Sequence, residues 1–102
     1  MAETNVKVVI VDAVRAKSAF ITMMTTIDST NHIEKLDILD YKGDRGRSVD
    51  DSTWLAQFTG KNADSEIAIG KDIDAISGAT YSAAAIAKAV KRWTLLAQHF
   101  EN

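Results

Sequence analysis

Residues 79–100 read ATYSAAAIAKAVKRWTLLAQHF, and this stretch decides the class of fold. Ala79, Ala83, Ile86, Val90, Trp93, Ala97 and Phe100 recur at spacings of three and four, which draws one apolar stripe along a helix. Lys88, Lys91 and Arg92 lie off the stripe and toward its C-terminal half, where cations suit the helix dipole.

The residues upstream read as strands. Val6 to Val11 is rich in valine and isoleucine and reads as a buried strand. Ser18 to Asp28 interleaves Phe20, Ile21, Met23, Met24 and Ile27 with threonines, a second strand with a mixed face. Asp28 to His32 is a turn cluster, and Ile33 to Tyr41 reads as a third strand in an antiparallel hairpin with the second. Lys42 to Ser48 carries Gly43 and Gly46 among charges and reads as a loop. Asp50 or Asp51 then caps a short helix through Phe58, with Trp54, Leu55 and Phe58 on one face and Gly60 at its end. Ile67 to Ile69 suits a short strand, and Gly70 to Gly78 a loop. Three or four strands and two helices make an α+β fold: a small antiparallel sheet packed with a short helix and a long C-terminal helix.

A chain of 102 residues, 46% hydrophobic and 25% charged, is expected to form one domain over residues 1–102. A net charge of −2 offers no basic field for nucleic acid. The absence of cysteine excludes disulfides, thiolate metal sites and cysteine nucleophiles. Met1 to Asn5 lacks the pattern of a signal peptide, and the apolar run Val6 to Val14 is too short and too interrupted to span a bilayer. His32 reads as an exposed turn residue and His99 as an answer to a helix dipole, so neither suggests a metal site. Met23, Met24 and Trp93 read as core, and Asp50-Asp51 as a cap signal rather than an acid–base pair.

Chemistry concentrates in Ser77-Gly78-Ala79-Thr80, where a loop turns into the long helix. The first helical turn leaves backbone N–H groups without intrahelical partners, and with the dipole they favour a phosphate. Gly78 permits close approach or a positive φ, Ala79 keeps the approach clear, and Ser77, Thr80 and Ser82 bring hydroxyls. Asp74 would repel a phosphate at close range, so its role is different. The competing reading is plain: Ser or Thr before an apolar helix is very often only an N-cap.

Asp74 to Ser82, DAISGATYS, resembles the flavinylation motif of the FMN-binding domain family, roughly D-x-x-[ST]-G-A-T-x-[ST], and every fixed position is matched. Ser52 to Lys61, STWLAQFTGK, is similar to that family's helix and its Gly-Lys turn. The resemblance covers Ile33 to Val90 and implies FMN joined by a separate flavin transferase, through a phosphoester, to Thr80. It implies an electron carrier rather than a stand-alone enzyme, served by the transferase and by redox partner proteins. It also implies an extracytoplasmic or membrane-associated setting, while the sequence itself leads to the expectation of no membrane insertion by this chain. Trp54, then Tyr81, then Leu55 are the expected contacts of the flavin ring, and Arg45, Arg47 and Lys61 the cations placed for its N1 edge. One departure stands out: many relatives carry Glu-Thr-x-Gly after the third strand, whereas here Gly43-Asp44-Arg45-Gly46 agrees only in its last glycine. Two alternatives stay open, a non-covalent FMN-binding module and a small interaction domain of the same fold without a redox role.

Overall fold

The computed structural model describes residues 6–17, 19–43 and 47–99. Three strands, β1 (Val6–Ala16), β2 (Ala19–Asp28) and β3 (Ile33–Gly43), form one antiparallel sheet in the order β1-β2-β3. Two helices follow, α1 (Ser52–Leu55), which tightens into a 3-10 turn over Ala56–Phe58, and α2 (Thr80–Ala97). The architecture is α+β, as the sequence pattern predicts.

The central strand sets the core. Ala19, Ile21, Met23, Thr25 and Ile27 alternate inward along β2 and are buried. Opposite Ile21 stand Val14 on β1 and Tyr41 on β3, so the three strands share one inner face. Helix α2 lies against β1 and β2 and buries Ala83, Ile86, Val90, Trp93 and Ala97, the members of the sequence stripe. Phe100 falls outside the described residues. The buried face is wider than the stripe, since Ser82, Ala87, Ala89 and Thr94 are also enclosed.

Several local expectations change. The first strand runs on to Ala16 and is an edge strand, not a buried one: Val9 and Val11 are 47% and 57% exposed. They share the outer face of the sheet with Phe20, which is 45% exposed. The third strand extends through Lys42 to Gly43, residues expected in a loop. Asp51 rather than Asp50 caps α1, accepting from the N–H groups of Thr53 at 2.8 Å and Trp54 at 3.3 Å. Gly60, at φ +87°, turns the chain after Phe58 as its position suggests.

Ile67 to Ile69 makes no strand. Ile69 forms a single bridge with Ile73, and Ile67 stands at φ +52°, in the left-handed region that β-branched residues avoid. The Asp72 carboxylate explains this by accepting from the N–H groups of Ile67 at 3.0 Å and Ala68 at 2.9 Å. Lys91 does not answer the helix dipole. The last turn of α2 holds no basic residue, and the Lys91 ammonium donates to the carbonyls of Ala63 and Ser65, each at 2.6 Å. His32 is half-buried, with its ring beside Thr30 Oγ1 at 3.0 Å and Asn62 Nδ2 at 3.3 Å.

Candidate functional site

The entry to α2 is built from its backbone. Gly78 stands at φ +82°, where a Cβ would meet no atom within 4 Å, so the turn and not crowding demands glycine. Ala79 occupies the capping position at φ −134° and ψ 34°, and no side chain caps the helix. Its N–H donates to Ile76 O at 3.0 Å, and the first helical bond runs from Ala83 N–H to Ala79 O at 2.9 Å. Between them the N–H groups of Thr80, Tyr81 and Ser82 have no partner among the described residues.

Thr80 is therefore the first helical residue and not the cap, and its side chain is exposed. Ser77 and Gly78 are exposed beside it. Ala79 is only 3% exposed and its methyl group joins the core, so its smallness serves packing. Ser82 follows Thr80 by two residues, about 200° around the helix, and so faces the opposite way. It is 4% exposed, and its Oγ lies 3.0 Å from the Tyr41 hydroxyl, which ties α2 to β3.

The loop before α2 is fastened to α1. Trp54 Nε1 donates to Asp74 O at 2.8 Å, and the Asp74 N–H donates to Gln57 Oε1 at 2.9 Å. Gln57 Nε2 in turn donates to Trp54 O at 3.3 Å. The two motif blocks that resemble one family in sequence thus meet in space. Asp74 takes part through its backbone, and its carboxylate is exposed.

Trp54 is 6% exposed and packs edge-on against Phe58 with ring centroids 5.2 Å apart, while Leu55 is 7% exposed. Trp54 holds the loop through its bond to Asp74 O, whereas Leu55 lies on the side of α1 that faces β3. The exposed ring at the site is Tyr81, 62% exposed, with the Lys17 ammonium 4.7 Å above its centroid. Sequence reasoning missed Lys17, because nothing local links the end of β1 to the start of α2.

Of the expected cations, Lys61 lies close enough to Asp72 to help hold that carboxyl below its ordinary value. The Ala68 N–H is the largest cause of that depression. Arg45 and the Arg47 side chain lie outside the described residues. A small groove of about 150 Å³ lies between β3 and α1, lined by Lys35, Leu36, Asp37, Leu55 and Thr59 among others, and none of residues 74–82 lines it. Among the described residues no three His, Asp or Glu side chains gather to hold a metal, and no helix is long and apolar enough to cross a membrane.

The family model described as FMN-binding domain matches residues 17–94, from the turn after β1 to the last turn of α2. No curated protein and no solved structure matches the chain. The matched span takes in the whole of the uncapped helix entry and the α1 contact that holds it, and the chain belongs to the FMN-binding domain family, with FMN as its cofactor.

Proposed function

We propose that the chain is an electron-transfer module that carries FMN covalently, through a phosphoester at Thr80. The observation that carries this reading is the exposed Thr80 side chain at the head of an 18-residue helix with no side-chain cap. A capped helix would spend its donors on its own side chain. Here the N–H groups of Thr80, Tyr81 and Ser82 stay available to phosphate oxygens, with the positive end of the helix dipole behind them. The Ser77 hydroxyl is exposed next to them and can donate as well. This donor set fits a phosphate ester.

The chemistry asks little of this chain. The Thr80 oxygen forms the new bond to phosphorus, and its proton passes to a base of the transferase. The bond that breaks is the phosphoanhydride of an activated flavin nucleotide, whose nucleotide half leaves. No histidine or carboxylate accepts from Thr80 among the described residues, so the activating base comes from the second protein. The flavin ring supplies the electron chemistry, and the domain supplies its position and surroundings. Tyr81 presents the exposed ring that can stack against it, and Trp54 acts through the loop to which it is bonded. The tether keeps the flavin at high local concentration beside its redox partners. An extracytoplasmic or membrane-associated site of action belongs to the same reading.

The test is intact mass after co-expression with a flavin transferase, for the native chain and for Thr80→Ala. The native chain should gain one FMN less one water, and the variant nothing. Equal gain in the variant would refute the attachment site. Flavin that leaves the native chain on denaturation would favour the non-covalent reading instead.

A further inference from the structure

We infer that Lys17 is the cation that receives the phosphate at Thr80, with Tyr81 holding its ammonium in place. This inference rests on the phosphoester reading above and adds a positioning residue to it.

Lys17 directly follows β1, whose last residue, Ala16, pairs with Ala19, so the chain turns there and the residue is tied to the end of the sheet. From that end the ammonium reaches over the Tyr81 ring, 4.7 Å from its centroid. Tyr81 adjoins Thr80 in the first turn of α2. The manner of holding matters. Lys42 and Lys71 lie against the carboxylates of Asp40 at 3.2 Å and Glu66 at 4.0 Å, which neutralise them. Lys91 spends its donors on two carbonyls. An aromatic face orients an ammonium without cancelling its charge and leaves N–H donors for an anion. A phosphodiester carries one negative charge, and a helix N-terminus answers with only about half a unit. Lys17 supplies the full unit that the backbone lacks, and the exposed Asp74 carboxylate makes it the more needed.

The experiment measures the initial rate of mass gain with limiting transferase and an activated flavin nucleotide, at low and at high salt. Lys17→Gln should slow the gain about fivefold at low salt, the scale of one exposed charge pair. At about 1 M salt, where the screening length is about 3 Å, the difference should shrink below about twofold. Lys17→Arg should restore the native rate, because it keeps the charge and stacks on aromatic faces. In a Tyr81→Leu background, Lys17→Gln should matter less, because the ammonium has lost its rest. A Lys17→Gln rate equal to native at low salt overturns the inference, as does a deficit that persists unchanged at high salt. Those results leave the phosphoester reading standing. A native chain that gains no mass, or a Thr80→Ala chain that does, overturns the reading itself and Lys17 with it.

Discussion

Trp54→Phe tests the fastening on which the site depends. The indole N–H donates to Asp74 O at 2.8 Å, and the ring is 6% exposed against Phe58. Phenylalanine keeps an aromatic ring there and removes the donor. The lost hydrogen bond is worth about 1 kcal/mol. The smaller ring forfeits about 1 kcal/mol more in burial and packing. A total near 2 kcal/mol lowers the melting temperature of a domain this size by about 10 °C. The loss should also be uneven. Asp74 N–H and Ala79 N–H, which bond Gln57 Oε1 and Ile76 O, should exchange with solvent about fivefold faster under native conditions, since about 1 kcal/mol of the loss falls on the loop alone. Phe58→Leu is the control, because Phe58 is fully buried and holds no hydrogen bond to the loop. Urea unfolding and residue-resolved amide exchange measure both variants. If Phe58→Leu speeds the Asp74 and Ala79 amides as much as Trp54→Phe does, the loop opens only with the whole fold and the fastening argument fails.

Thr25 has the one buried side-chain polar atom without a partner among the described residues, so Thr25→Val should raise stability by about 1 kcal/mol in urea unfolding. Gly78→Ala should cost about 1 kcal/mol in the same assay, all of it backbone strain, since a Cβ at φ +82° meets open space. Ala79→Ser adds a hydroxyl to a methyl group that is 3% exposed and packed in the core, so it should lower the stability of the flavin-free chain by about 1 kcal/mol in urea unfolding. Acid should destabilise the fold through two carboxylates. In Asp28 burial pushes the pKa up, but bonds from the Thr30 hydroxyl and from the Thr30 and His32 N–H groups outweigh it and bring it below 3.8; in Asp72 the Ala68 N–H leads the same lowering. Because both are lower when folded, their contribution is complete above about pH 5 and drains as pH falls through 3.8 toward the native values, so Asp28→Asn and Asp72→Asn should each flatten the acid limb of a melting-temperature profile.

Where a structural rule was local, the sequence was readable. The stripe of α2, the Asp51 cap and the hairpin of β2 and β3 each follow from spacing or capping within a few residues. The valine run of β1 misled because it lacks alternation: such a run suits a strand covered on both faces, whereas β1 lies at an edge with Val9 and Val11 exposed. Ile67 misled because β-propensity yields to a carboxylate five residues on. At the helix entry, the start of α2 near Thr80 and the turn at Gly78 were legible because a helix start has fixed needs. That Ser82 serves Tyr41, that Trp54 serves Asp74 and that Lys17 covers Tyr81 were not, since each contact joins elements distant along the chain.

Positive φ occurs at Asn31 and Gly60 as well as between residues 67 and 79, but it is the latter stretch that leads into Thr80. Ile67 takes a left-handed backbone, Gly70 and Gly78 give up glycine's entropy at φ +84° and +82°, and Ala79 caps a helix poorly, all just ahead of Thr80. Each departure costs stability, and each is offset from nearby: Asp72 holds Ile67, Ile73 O accepts from Gly70 N–H, and Trp54 with Gln57 holds Asp74. Of these, Ile67 is the strained one, a β-branched residue in the left-handed region that the Asp72 carboxylate holds there. The unpartnered hydroxyl of Thr25 lies apart from this segment, mid-sheet between Ile10 and Leu36 and away from the helix entry. If this segment serves the phosphate, Thr25→Val changes the melting temperature and leaves the rate of mass gain alone, while Gly78→Ala lowers both.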